Sequence, residues 1–121
     1  MQKSVLIVED NDLNRRLFND LLAAEGYKTL SATDGNSALS LAREAHPDLI
    51  LMDINLPRQS GIQTTRKLKQ DDQLSDIPII AVTAHAMDGD EQRIREAGCQ
   101  DYIAKPVSLP GLLSMVRRHI C

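Results

Sequence analysis

Three short stretches of uninterrupted apolar residues constrain this chain most: Val5-Leu6-Ile7-Val8, Leu49-Ile50-Leu51-Met52 and Ile79-Ile80-Ala81-Val82. Runs so brief and so continuous suit strands buried on both faces, since a half-exposed strand would alternate apolar with polar. The second and third runs each follow a proline closely, Pro47 and Pro78, which ends the preceding element. Two weaker strands are expected over 28–32 and 102–104.

Between the runs the hydrophobic period changes to that of a helix. Leu13, Leu17, Phe18, Leu21 and Leu22 fall on one face, with Asn11 or Asp12 placed to cap the start and Gly26 to close the end. Residues 34–45 put Ala38, Leu39, Leu41, Ala42 and Ala45 on one broad side. Further helices are expected over 60–70 and 87–97, the latter stopped by Gly98. Leu109, Leu112, Leu113, Val116 and Ile120 form a last stripe, with Arg117, Arg118 and His119 where a helix C-terminus favours cations.

The order is therefore a strand and a helix, five times over. Helices alternating with fully buried strands predict an α/β fold of three layers, a doubly wound parallel sheet covered on both faces. At 121 residues the chain has the length of one domain. With 42% hydrophobic and 26% charged residues it has the composition of a soluble globule. A net charge of −3 argues against a protein whose main task is to neutralise nucleic-acid phosphates. With Phe18, Tyr27 and Tyr102 its only aromatics, it lacks the rings for a base-stacking platform. No apolar run approaches the roughly 20 residues needed to cross a bilayer. The first run stops at Glu9-Asp10, so it is not expected to be the apolar region of a secretory leader. A cytoplasmic protein is expected, with Cys99 and Cys121 as reduced thiols.

Right-handed crossovers bring the carboxyl ends of all five strands to one edge, where ligands bind in such sheets. Glu9 and Asp10 follow the first strand, Asp53 ends the third, Thr83 ends the fourth, and Lys105-Pro106 follows the fifth. Taken singly, each has an ordinary explanation. Acids cap helices, Asp53 suits a turn, Thr83 suits a strand end and Lys105 suits a solvated surface. Taken together they place three carboxylates, a hydroxyl and an ammonium on one edge. Crowded carboxylates resist ionising, and a buried unpaired charge is costly. A hard divalent cation relieves both problems, and Mg²⁺ keeps waters that a phosphate can replace. The edge reads as a site for Mg²⁺ and a phosphoryl group.

With these residues in view, the chain resembles the receiver domain of two-component response regulators. The resemblance rests on Val-Leu-Ile-Val-Glu-Asp-Asn at 5–11, Pro-Asp-Leu-Ile-Leu-Met-Asp-Ile-Asn-Leu-Pro at 47–57 and Gly61. It continues through Ile-Ile-Ala-Val-Thr-Ala at 79–84, Gly98 and Tyr-Ile-Ala-Lys-Pro at 102–106. Within that family, Met87-Asp88-Gly89-Asp90-Glu91, Arg93-Ile94-Arg95-Glu96 and Gly98-Cys99 are similar to the single-domain cell-cycle regulators of the DivK type. The resemblance implies a flavodoxin-like, CheY-like (βα)5 fold with strand order 2-1-3-4-5. It also implies one receiver domain spanning 1–121, with no output domain after the last helix.

What the resemblance implies for the site is specific. Asp53 is the phosphoacceptor, receiving the phosphoryl group of a phosphohistidine on a histidine kinase or histidine phosphotransfer protein. Asp10 and Asp53 ligate Mg²⁺ directly, joined by the backbone carbonyl of Asn55, with Glu9 acting through water; Mn²⁺ is able to substitute. Lys105, the Thr83 hydroxyl and the Ala84 amide hold the phosphoryl oxygens, and a cis peptide before Pro106 aims Lys105 inward. Thr83 and Tyr102 form the switch. Asn55 and His85 tune the lifetime of the phosphoryl group. Asn14, Arg15 and Phe18, with Ser108, Leu109 and Pro110, dock the kinase. Such a protein assists its own phosphorylation and dephosphorylation without being a turnover enzyme, and is a monomer or weak dimer acting through protein contacts.

Three rival readings stay open at this stage. Aspartyl-nucleophile phosphatases also use Mg²⁺, but carry Asp-x-Asp after their first strand, whereas Asp53-Ile54-Asn55 ends the third here. A flavodoxin-like cofactor carrier fits poorly with so few aromatics. The chain also suits the receiver module of a hybrid histidine kinase.

Overall fold

The structure is a computed structural model and describes residues 2–56, 60–84 and 90–120. The elements run β1 (Ser4–Val8), α1 (Asp12–Ala24), β2 (Lys28–Ala32), α2 (Gly35–Ala45) and β3 (Leu49–Asp53). They continue with α3 (Gly61–Gln70), β4 (Ile79–Thr83), α4 (Asp90–Ala97), β5 (Asp101–Ala104) and α5 (Leu109–Ile120). The expected beginning of α4 at Met87 lies outside the described residues.

All neighbouring strands are parallel, in the order β2-β1-β3-β4-β5. The three apolar runs are the three central strands, and every residue of β3 and β4 is buried. The pleat sends successive side chains to opposite faces. Leu6, Val8, Ile50, Met52, Ile79 and Ala81 thereby join one core with residues of α2, α3 and α4. Val5, Ile7, Leu49, Leu51, Ile80 and Val82 join a second with Phe18 and Leu22 of α1 and Leu112, Val116 and Ile120 of α5. This is the three-layer arrangement expected.

Local chemistry sets the helix starts. Asn11, Asp34 and Ser60 each accept a hydrogen bond from the amide three residues on, and so cap α1, α2 and α3. Of the two candidates for capping α1, the cap is Asn11. Gly26 and Gly98 have φ of 93° and 114°, which glycine adopts without steric penalty.

The apolar stripe of α1 needs correction. Phe18 and Leu22 are buried and Leu21 is half-buried, but Leu13 is 66% exposed and Leu17 42% exposed. Leucines at 13, 17 and 21 lie one turn apart in a row beside the 18–22 row, and only the latter meets the sheet squarely. Ala45, placed on the buried side of α2, is likewise exposed.

Candidate functional site

The carboxyl ends of the central strands carry the charged residues to one place. The register sets Asp53 beside Val82, one residue before Thr83, and Thr83 opposite Ala104. The Ile54 amide donates to the Val82 carbonyl at 2.9 Å, and the Lys105 amide to the Thr83 carbonyl at 2.8 Å. Residues 52 positions apart therefore meet: Lys105 Nζ lies 3.2 Å from Asp53 Oδ2. The peptide between Lys105 and Pro106 is cis, as expected.

Glu9, Asp10 and Asp53 each offer a carboxylate oxygen within 4.8 Å of the others. Asp53 and Glu9 are buried, and Asp10 is exposed. One Glu9 oxygen, Oε2, accepts from the Asn11 amide at 3.2 Å. The other, Oε1, is buried without a hydrogen bond to any described residue, and Lys105 Nζ stands 3.9 Å from it. Burial, then the neighbouring Asp53 carboxylate, pushes the Glu9 carboxyl up to about 8, against weaker opposition from the Asn11 amide and Lys105. An all-oxygen donor set of three clustered carboxyl groups and an unsatisfied buried carboxyl oxygen fit a hard divalent cation such as Mg²⁺.

Two loops frame the pocket. After β3, the Asn55 amide donates to Asp53 Oδ1 at 2.9 Å, and Asn55 Oδ1 accepts from the Ala84 amide at 3.3 Å. The Ala84 donor expected to face a phosphoryl oxygen is engaged by the Asn55 side chain in this state. Thr83 is buried; with Ile54, Asn55, Ser60, Ile62, Arg93 and Ile94 it lines a cavity of about 190 Å³ between α3 and α4. Tyr102 is half-buried against the α2–α4 core, and the Arg95 guanidinium lies 5.5 Å from its ring centre. His85 lies outside the described residues.

The residues expected to dock a kinase divide. Asn14, Phe18 and Leu109 line a cleft of about 570 Å³, together with Leu17, Ala84, Lys105, Pro106 and Val107. Phe18 is also plain core, and reaches the cleft only as part of its wall. Ser108 accepts the Gly111 amide at 3.2 Å, which occupies it at the first turn of α5, and Pro110 is exposed. Arg15 lies elsewhere: its guanidinium donates to the Glu9 carbonyl and pairs with Asp12.

Sequence reading missed what Gly61 does. Its amide donates to the Ile54 carbonyl at 2.9 Å, which seats the start of α3 on the loop after Asp53. Along the chain Gly61 shows as a glycine immediately after a helix cap and as one of the residues that carry the family resemblance.

A parallel sheet of this order, with clustered acids and a lysine at its carboxyl edge, defines a class. The response regulator receiver domain pattern matches residues 5–117, and the chain belongs to that family, a family of signalling proteins. It is 56% identical over 120 residues to the polar-differentiation response regulator DivK of Brucella ovis, covering 99% of this chain and 98% of that one. The DivK of Brucella anthropi matches to the same extent. Among solved structures, the chemotaxis response regulator CheY4 of Vibrio cholerae superposes with a TM-score of 0.94 at 27% identity, over 99% of this chain and 100% of that one. The receiver domain of a sensor histidine kinase from Pseudomonas aeruginosa, solved with a magnesium ion in its active-site cleft, gives 0.91 at 35% identity, over 99% and 98%.

Proposed function

We propose that this chain is a phosphoacceptor of a two-component phosphorelay, with Asp53 as the acceptor. The observation that carries the reading is the meeting of three carboxylates within 4.8 Å, one of them 3.2 Å from Lys105. Asp10, Asp53 and the Asn55 carbonyl would hold Mg²⁺, with Glu9 acting through water, and Mn²⁺ would be able to substitute. The bound cation supplies neutralisation of the charge on the transferring group. An Asp53 carboxylate oxygen attacks the phosphorus of a phosphohistidine; the new O–P bond forms, the P–N bond breaks, and the imidazole leaves with its electron pair. Lys105, the Thr83 hydroxyl and the Ala84 amide stabilise the phosphoryl oxygens, which is most of what this chemistry asks of a protein. For the amide to do so, Asn55 Oδ1 must release it.

The phosphoryl group draws Thr83 inward, Tyr102 turns into the space released, and the α4-β5-α5 face changes. The output is protein contact: the 56% identity to DivK supports modulation of histidine kinases in cell-cycle or division control. The partner is a histidine kinase or histidine phosphotransfer protein, docked on the cleft lined by Asn14, Leu17 and Leu109. We place the protein in the cytoplasm, as a monomer or weak dimer. No described helix is long and apolar enough to cross a membrane.

The test is phosphotransfer from a panel of purified histidine kinases to wild type and to Asp53→Asn. Acid-labile, base-labile label is expected on wild type alone. Label that persists on Asp53→Asn overturns the assignment.

A further inference from the structure

The turn between β1 and α1 carries two of the three clustered acids, yet only one of them is buried. Asp10 is exposed and its direction is set by the backbone it hangs from. The Glu9 amide donates to the Ala32 carbonyl of β2 at 3.0 Å, fixing one end of residue 9. At the other end, Arg15 Nη1 donates to the Glu9 carbonyl at 3.1 Å, while Nη2 of the same guanidinium meets Asp12 Oδ1 at 2.5 Å. The Arg15 side chain is 23% exposed and the Asp12 side chain 91%. An isolated pair this wet contributes little by itself. What distinguishes it is the second branch of the fork, which reaches from the first turn of α1 back to the strand end.

We propose that Arg15 is a positioning residue for the cation site, holding the Glu9–Asp10 peptide so that the Asp10 carboxylate points at Asp53. The peptide unit is planar, so anchoring the Glu9 carbonyl also orients the Asp10 amide and the Cα beyond it. Arginine suits this task because its rigid fork presents donors to two acceptors at once. Lysine offers a compact ammonium on a flexible stem and cannot hold both acceptors in the same way. Asp12 steadies the guanidinium and Asn11 caps the helix, so the turn is held from both sides.

The inference rests on the cation site proposed above, and the sign of one measurement separates it from its rivals. Arg15 brings positive charge near three acids. If charge were its whole effect, removing it would tighten Mg²⁺ binding, and lysine would leave affinity unchanged. If the turn is the effect, removal weakens binding despite the gain in negative field, and lysine does not restore it.

The experiment titrates Mg²⁺ alone into wild type, Arg15→Met and Arg15→Lys, and follows amide hydrogen exchange of the cation-free proteins. Thermal melts accompany each titration and identify any variant that fails to fold. The expected result is a loss of Mg²⁺ affinity of roughly tenfold for both Arg15→Met and Arg15→Lys, the lower end for removing an outer-shell partner. Exchange at Asp10 and Asn11 quickens, while exchange at Leu6 and Ile7 in β1 does not. Phosphoramidate labelling returns to the wild-type rate once Mg²⁺ is saturating, showing a defect in binding and not in transfer. Should Arg15→Met fail to fold, Arg15→Lys decides by the same criteria. Unchanged or tighter Mg²⁺ binding by the folded variants overturns the proposal, as does a loss confined to transfer from the kinase. If wild type itself binds no Mg²⁺, the failure lies in the cation-site reading, and the proposal falls with it.

Discussion

Gly61 and Asp53 are in backbone contact across the mouth of the pocket. A Cβ at Gly61 would lie 2.3 Å from the Asp53 carbonyl oxygen and 2.7 Å from Ile54 Cα. Neither neighbour is a flexible side-chain end, so any side chain at 61 must push α3 away from the strand that carries Asp53. Gly61→Ala is expected to destabilise the fold by about 1–3 kcal/mol, the usual range for overpacking. It should also slow phosphoramidate labelling at Asp53. Urea melts and labelling time courses measure the two effects; wild-type values in both would show that the loop yields freely.

Lys105 is the ammonium that faces the acceptor, 3.2 Å from Asp53 Oδ2. Removing one preorganised donor of this kind costs on the order of 10²-fold in rate. Lys105→Ala should therefore accept phosphoryl from phosphoramidate roughly 10²-fold more slowly at saturating Mg²⁺. A rate within twofold of wild type would remove Lys105 from the transfer step.

The Glu9 carboxyl, pushed from 4.5 up to about 8 in the folded state, gives a pH dependence of definite sign. Between those values the native protein keeps a proton that the unfolded chain releases, so this group's contribution to stability declines as pH rises. In the absence of divalent cations, urea midpoints should therefore fall between pH 5.5 and 8 more steeply in wild type than in Glu9→Gln. Mg²⁺ should raise the wild-type midpoint more at pH 8, where less of the site is protonated. Parallel wild-type and Glu9→Gln profiles would contradict this.

Leu13 and Leu17 of α1 present apolar surface to solvent, and Leu17 lines the same cleft as Leu109. Surface substitutions away from packing contacts usually change stability by no more than about 0.5 kcal/mol. The double variant Leu13→Ser, Leu17→Ser should melt near wild type and label normally from phosphoramidate. Its transfer from the histidine kinase that labels wild type fastest should fall by about tenfold, the loss of roughly one modest hot spot. Normal transfer from that kinase would move the docking face elsewhere.

Much of this molecule is legible along the chain. Val5–Val8, Leu49–Met52 and Ile79–Val82 are too apolar and too short for anything but central strands, and Asn11, Asp34 and Ser60 declare their helix starts. Parallel strands joined by helices put all their carboxyl ends on one edge, so Glu9, Asp10, Asp53, Thr83 and Lys105 could be grouped before any coordinate was known. Such features depend on neighbours a few residues away and on a handedness rule that holds for any chain of this pattern.

Other features depend on where two elements meet. Periodicity gives the phase of a helix but not the angle at which it meets the sheet, so Leu13 and Leu17 read as core and prove exposed. Arg15 reads from the chain as a docking residue, and only the fold shows α1 bringing it back over the Glu9 carbonyl. The Asn55 side chain meets the Ala84 amide across 29 residues, and Gly61 meets the Asp53 carbonyl because α3 begins close against its own strand. The strands, the edge they share and the residues on it follow from the order of residues along the chain. Which oxygen faces which nitrogen was decided by packing, because hydrogen bonds depend on tenths of an ångström and those are set only when the whole core closes.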